Sequence, residues 1–190
     1  MADGFLDPRK FAFVDALEAA WTDVRQECLS LPNDSFEPWV QREMYGEGCS
    51  VYGLIAFGER IEGALGLCPK TAALLGRVPG LTTAGFSRLA PGAHIKPHVG
   101  WVHTVYRLHM GLVVPPDCAL RVGTETRPWR EGECLIFDDT VEHEAWNQSG
   151  DSRIVLLLDF LRPGSDPSKV DVAPPEVQAM IRRRTNGGAR

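Results

Sequence analysis

The chain has 190 residues, 44% hydrophobic and 24% charged, with a formal net charge of -5 and a pI near 5.5. That length suits one domain with a real core, and the composition is that of a soluble globular protein. The acidic balance, with no Lys/Arg cluster before the closing Ile181-Arg182-Arg183-Arg184 run, speaks against a nucleic-acid partner. No apolar run reaches bilayer length, and the N-terminus lacks the charged-then-apolar order of a signal peptide. Cys28, Cys49, Cys68, Cys118 and Cys134 are odd in number and widely spaced. They point to reduced thiols in a cytoplasmic protein and away from a disulfide frame or zinc knuckle.

In chain order, residues 8–31 carry apolar positions at helical spacing: Phe11, Val14, Leu17, Trp21, Val24 and Cys28. Pro8 suits an early helical position, and Leu31-Pro32 ends the element. The loop that follows, with Trp39 and Tyr45, is placed to pack over the mouth of the fold. Residues 49–57 predict a strand, 69–75 a short helix starting at Pro69, and Val78-Pro79-Gly80 a turn. Strands are predicted at 83–89, 104–114, 119–122 and 134–137. Ala90-Pro91-Gly92 is a turn, and residues 129–133 form a hinge. Residues 154–160 are apolar apart from Asp159 and predict a central strand. His98 reads as part of a His-Val-Gly turn, with His94 and His103 in loops. A last short helix is predicted at 176–183.

Short strands joined by Gly/Pro turns and flanked by helices predict a mainly β fold. The expected form is a double-stranded beta-helix, the jelly-roll barrel of cupin type. The single domain would comprise a helical lid and support (1–80), a catalytic core (81–163) and a C-terminal helix and tail (164–190).

All five histidines fall between Phe86 and Asp159. His98 and His143 are the candidate metal ligands, because neutral imidazole suits Fe(II) and a pair leaves positions open for a keto acid and oxygen. A facial triad would place an acid two residues after His98, where Gly100 stands. Either two ligands suffice or a nearby acid helps. Of Asp138, Asp139, Glu142 and Glu144, the first two are expected to orient an imidazole or a bound water, with turn chemistry as the alternative.

Arg153 opens the apolar strand and needs an anionic partner there. A cofactor carboxylate held by the guanidinium fork fits, and a salt bridge to Asp159 or Glu133 is the alternative. Arg107 and His109 alternate on one strand and face the same side. With Ser87 they would surround a keto acid with donors. The residues thus outline a non-haem iron oxygenase using Fe(II), 2-oxoglutarate and O2. Halogenation, desaturation or cyclisation with the same cofactors remain open, as does a non-catalytic metal- and acid-binding module. A zinc hydrolase lacks a third ligand or acid to activate water.

The segments FSRLAPGAHIKPHVG, YRLHMGLVVP, W-x-x-G-x-x-x-x-FDD-x-x-EHE-x-WN and R-x-x-x-x-x-D, taken as a set, resemble the aspartyl/asparaginyl beta-hydroxylase family of 2-oxoglutarate oxygenases over residues 86–163. The resemblance implies a double-stranded beta-helix with iron held by two histidines and no acid, in keeping with Gly100. It implies His98 and His143 as ligands and Arg153 as the clamp on the far carboxylate of 2-oxoglutarate. Ser87, Arg107 and His109 match the remaining cofactor contacts. It also implies hydroxylation of an unactivated carbon in an amino acid, peptide or related small substrate, with lipid groups among the substrates of small relatives. Gly85 and Val105 depart from the basic residues found at these positions in the animal enzyme, which implies a less acidic substrate contact.

Overall fold

The computed structural model describes residues 4–38, 48–100 and 102–166, with positions 175 and 179. Trp39, Tyr45 and, apart from position 179, the helix expected at 176–183 lie outside the described residues.

The expected N-terminal helix is divided. A 3-10 turn at Pro8–Lys10 is followed by α1 (Val14–Ala19) and α2 (Trp21–Ser30), because Ala20 leaves helical geometry at φ -100°, ψ 6°. α3 (Glu62–Leu67) and α4 (Pro69–Leu75) follow later. Glu27 on α2 accepts bonds from the Lys70 and Thr71 backbone N–H groups and the Thr71 hydroxyl. These are orphan donors at the start of α4, so the carboxylate satisfies them and ties the two helices together.

The strands are β1 (Phe5–Leu6), β2 (Glu37–Pro38), β3 (Cys49–Ala56), β4 (Glu59–Arg60), β5 (Leu81–Leu89), β6 (His94–His98), β7 (Val105–Val113), β8 (Cys118–Val122), β9 (Glu125–Pro128), β10 (Cys134–Phe137), β11 (His143–Asn147) and β12 (Arg153–Leu161). They form a large sheet in the order β1-β10-β7-β12-β5-β3-β2, with β4 on β3, and a small sheet in the order β6-β11-β8-β9. All strand pairs are antiparallel. From β5 to β8 and again from β9 to β12, successive strands alternate between the two sheets, as in a jelly roll. The large sheet reaches back beyond residue 81, since β1 to β4 all join it.

One apolar layer, with Phe86, Leu108, Leu156, Leu158 and Phe160, joins the large sheet to the helices. A second, with Leu89, Leu120, Val122, Phe137 and Val155, fills the space between the sheets. β12 is buried on both faces, which accounts for the apolar run of residues 154–158. Its inward positions are Arg153, Val155, Leu157 and Asp159, and these lead into the candidate site.

Candidate active site

The two expected ligands meet. β11 pairs with β6 so that His143 stands directly opposite His98, with ring centroids 4.2 Å apart. His98 is thus the last residue of a strand that the sequence reading treats as a turn. Its Nδ1 lies 2.7 Å from the Lys96 carbonyl oxygen, and His143 Nδ1 lies 2.8 Å from that of Val141. A carbonyl only accepts, so each Nδ1 carries the proton and each Nε2 keeps its lone pair. That is the tautomer a metal ligand needs. Burial holds the His143 pKa down to about 3, so the ring is neutral at ordinary pH. Among the described residues no group of three or more His, Cys, Asp or Glu is arranged to hold a metal. The paired imidazoles of His98 and His143 are the donors that could hold one.

The acid question resolves locally. Asp138 is a structural residue: Arg162 grips it through NH1 and NH2, and it accepts from the Thr140 backbone and hydroxyl. Asp139 turns inward and is 3% exposed. Its Oδ1 lies 3.3 Å from His143 Nε2 and 2.6 Å from Arg107 NH1. A Cβ at Gly100 would run into this carboxylate, and the Gly100 N–H donates to the Asp139 carbonyl at 2.7 Å. Glycine is needed after His98 because an acid from the facing loop fills that space. Gly100→Ala is expected to displace Asp139 and lower stability by about 1–3 kcal/mol, the usual range for overpacking. Thermal unfolding checks this, and an unchanged midpoint would contradict it.

Arg107 is expected from sequence to contact the cofactor. It is also engaged with protein carboxylates: Nε and NH2 reach Asp159 at 2.7 and 2.9 Å, and NH1 reaches Asp139. Asp159 therefore belongs to Arg107 and not to Arg153. Glu133, the other partner considered for Arg153, pairs with Arg130 at 3.5 Å.

That leaves Arg153 without a carboxylate in ion-pair range among the described residues, although it is 1% exposed. Its NH1 donates to the Ser87 carbonyl at 3.3 Å, its guanidinium sits 4.5 Å over the Trp129 ring, and its Nε has no hydrogen-bond partner. Burial pushes its pKa down to about 10. His109, on the neighbouring strand, is buried with neither ring nitrogen hydrogen-bonded. Burial, and then the Arg153 and Arg107 charges, hold its pKa well below the ordinary histidine value. Ser87, His98, Arg107, His109, His143 and Arg153 all line one cavity. His94 and His103 are exposed, His94 pairing with Glu144 at 2.7 Å.

Three positioning residues escape the sequence reading. Asn147 is fully buried. Its amide donates to the carbonyls of Leu89, Ala90 and Asp151, and its oxygen accepts from Cys118 Sγ and Ser149. It fixes the turn that launches β12, and hence Arg153. Its sequence signals are the Asn-x-Ser turn chemistry and its place at the end of the Glu-His-Glu-x-Trp-Asn segment. Trp129 lies under Arg153 and 6.0 Å from the His109 ring, and Phe137 packs edge-on to both His109 and His143. Both are fixed positions of the Trp-x-x-Gly…Phe-Asp-Asp motif, which marks the residues but not these contacts.

The two sheets and the cavity between them define a double-stranded beta-helix of cupin type whose inner face presents a histidine pair and an uncompensated arginine. The chain belongs to the aspartyl/asparaginyl beta-hydroxylase family, whose model matches residues 18–163. The ornithine lipid ester-linked acyl 2-hydroxylase of Rhizobium tropici is 44% identical over 119 residues, covering 61% of this chain and 42% of that protein. Human aspartyl/asparaginyl beta-hydroxylase is 33% identical over 165 residues, covering 82% of this chain and 22% of that protein. The chain thus spans less than half the length of either relative. Among solved structures, the cupin domain of an XRE-family transcriptional regulator from Enterobacter cloacae matches with a TM-score of 0.43 and 15% identity, over 61% of this chain and 99% of that one.

Proposed function

We propose that the protein is an Fe(II)- and 2-oxoglutarate-dependent dioxygenase that hydroxylates an unactivated carbon of a small-molecule, peptide or lipid substrate. The observation that carries the reading is Arg153: a fully buried guanidinium with no carboxylate in ion-pair range among the described residues, in the same cavity as the His98–His143 pair. A buried charge without a counter-ion is costly, so the cavity is built for an anion. A dicarboxylate keto acid supplies one carboxylate for Arg153 and a second end for the metal. Ser87 stands beside Arg153, and the two unpartnered nitrogens of His109 give the near end of the acid a neutral donor. Arg107 enters as a contact that shares its guanidinium with Asp139 and Asp159. Asp139, beside His143, is the residue to hold a metal-side water or orient the ring.

Bound iron and 2-oxoglutarate would supply the oxidising power, with O2 turning the keto acid into succinate and carbon dioxide while one oxygen atom enters a C–H bond. The chain's own part is to orient the acid and the substrate and to limit water. Hydroxylation is favoured over halogenation because the Asp139 carboxylate already fills the space over Gly100, where a halide would meet a like charge. The five buried free thiols suit a reducing, cytoplasmic compartment. Among the described residues no helix is long and apolar enough to cross a membrane.

Aerobic incubation with Fe(II), ascorbate and 2-oxoglutarate tests the activity. Slow succinate release that depends on iron is expected, faster when a substrate is added. No release from folded, iron-loaded protein would contradict the reading.

A further inference from the structure

We infer that Phe5, on a short strap at residues 4–6, is a positioning residue for the histidine pair and acts through Phe137; that the pair holds a metal rests on the reading above. The strap pairs antiparallel with β10, so that Phe5 stands opposite Phe137 and Leu6 opposite Ile136. It lies outside the residues that match the family. As in any strand, successive side chains turn to opposite faces. Leu6 packs on the helix-side layer, and Phe5, 6% exposed, enters the layer between the two sheets.

The contacts run from Phe5 to the site in two steps. Its ring meets that of Phe137 edge-on, with centroids 6.2 Å apart. Phe137 is fully buried and stands edge-on to His143 at 5.3 Å and to His109 at 5.2 Å. The Arg127 guanidinium lies 4.4 Å from the centroid of the Phe5 ring. Arg127 belongs to β9, an edge strand of the small sheet, whereas β10 belongs to the large one. Phe5 therefore sits at the seam between the sheets and is held from both.

Gly4 seats the strap. Its carbonyl accepts from the Asp138 N–H at 2.8 Å, and a Cβ on it would run into the Val122 side chain. Val122 is the residue of β8 that stands opposite His143. The strap thus bears on His143 along two routes, through Phe137 and through Val122. This support has a physical use. The hydrogen bond from His143 Nδ1 to the Val141 carbonyl fixes one point of the ring and leaves it free to tilt, and the Phe137 edge limits that tilt. Ligands must be held to about 0.5 Å by neighbours whose own rotamers are locked by packing. Without Phe5, Phe137 would border a void and could relax into it, carrying the restraint on His143 away.

Equilibrium dialysis of the full chain against Mn(II), together with the visible d–d spectrum of the Co(II)-saturated protein, tests this. Phe5→Ala should bind Mn(II) roughly tenfold more weakly, the low end of what losing an outer-shell partner costs. Its Co(II) band at saturation should change in position or intensity, which a loss of stability alone leaves unmoved. Phe5→Val keeps a strand-forming apolar residue and should show both effects even where the alanine chain fails to fold. Leu17→Ala empties a buried site in the helix-side layer and should change neither reading. Wild-type affinity and an unshifted band in a folded Phe5 variant would overturn the inference, as would an equal loss in Leu17→Ala. Absence of Mn(II) and Co(II) binding by the wild type would overturn the metal reading itself, and this inference with it.

Discussion

Arg153→Met is expected to make the ligand-free protein more stable while removing its affinity for 2-oxoglutarate. The two effects have one cause. Arg153 is 1% exposed and faces no carboxylate among the described residues, so folding strips a charge of water and returns only the Ser87 carbonyl and the Trp129 ring. Its pKa falls from the ordinary arginine value to about 10, principally through burial. A base whose folded pKa is depressed weakens the fold wherever it is charged in both states. The penalty is full below about pH 10 and is relieved as pH rises toward the unfolded value, because the unfolded chain binds more protons in that window. The shift corresponds to roughly 3 kcal/mol.

Methionine keeps much of the volume, and its sulfur packs well on Trp129, so the variant should recover part of that penalty. The ligand arm runs the other way. Losing one partner of a buried charge pair costs about 2–5 kcal/mol, or roughly thirtyfold to several thousandfold in affinity. Thermal unfolding with and without 2-oxoglutarate reads both. The wild type should gain stability from the acid, and the variant should start higher and gain nothing. A variant that starts lower and still responds to 2-oxoglutarate would show that Arg153 is an ordinary structural cation.

His143→Ala is expected to abolish metal binding, with His98→Ala close behind. The two rings face each other from paired strands, each with Nδ1 committed to a carbonyl, and the described residues offer no alternative cluster of three donors. Removing an outer-shell partner of a ligand typically weakens a metal site 10- to 100-fold, about the least that loss of a ligand itself should do here. Equilibrium dialysis against Fe(II) or Mn(II) measures it. His94→Ala and His103→Ala are the controls: both rings are exposed, and His94 is paired with Glu144. Retention of metal by His143→Ala, or its loss from either control, would move the site elsewhere.

Strands and residues with strong individual character were legible in the sequence. The apolar run of β12, interrupted only by Asp159, predicts a central strand, and the strand is buried on both faces. The separation of His98 and His143 allowed the two histidines to meet across a sheet, and they stand opposite each other. What was not legible depended on partners far away in sequence. β6 is five residues long, contains Pro97 and exposes His94, Lys96 and Pro97, so it reads as loop until β11 pairs with it. The pairing of Asp159 with Arg107 and not Arg153 follows from strand register, in which Asp159 stands opposite Arg107. The need for glycine at position 100 comes from the Asp139 carboxylate on another loop. Asn147, a single polar side chain that bonds three carbonyls, has no periodic signal at all.

Anaerobic titration of the Fe(II)-loaded protein with 2-oxoglutarate, followed through the weak visible charge-transfer band of a chelated keto acid, tests the central claim most directly. A saturable band is predicted, absent in His143→Ala and requiring far more 2-oxoglutarate in Arg153→Met. Folded, iron-loaded protein that gives no band at any concentration would contradict the proposed site.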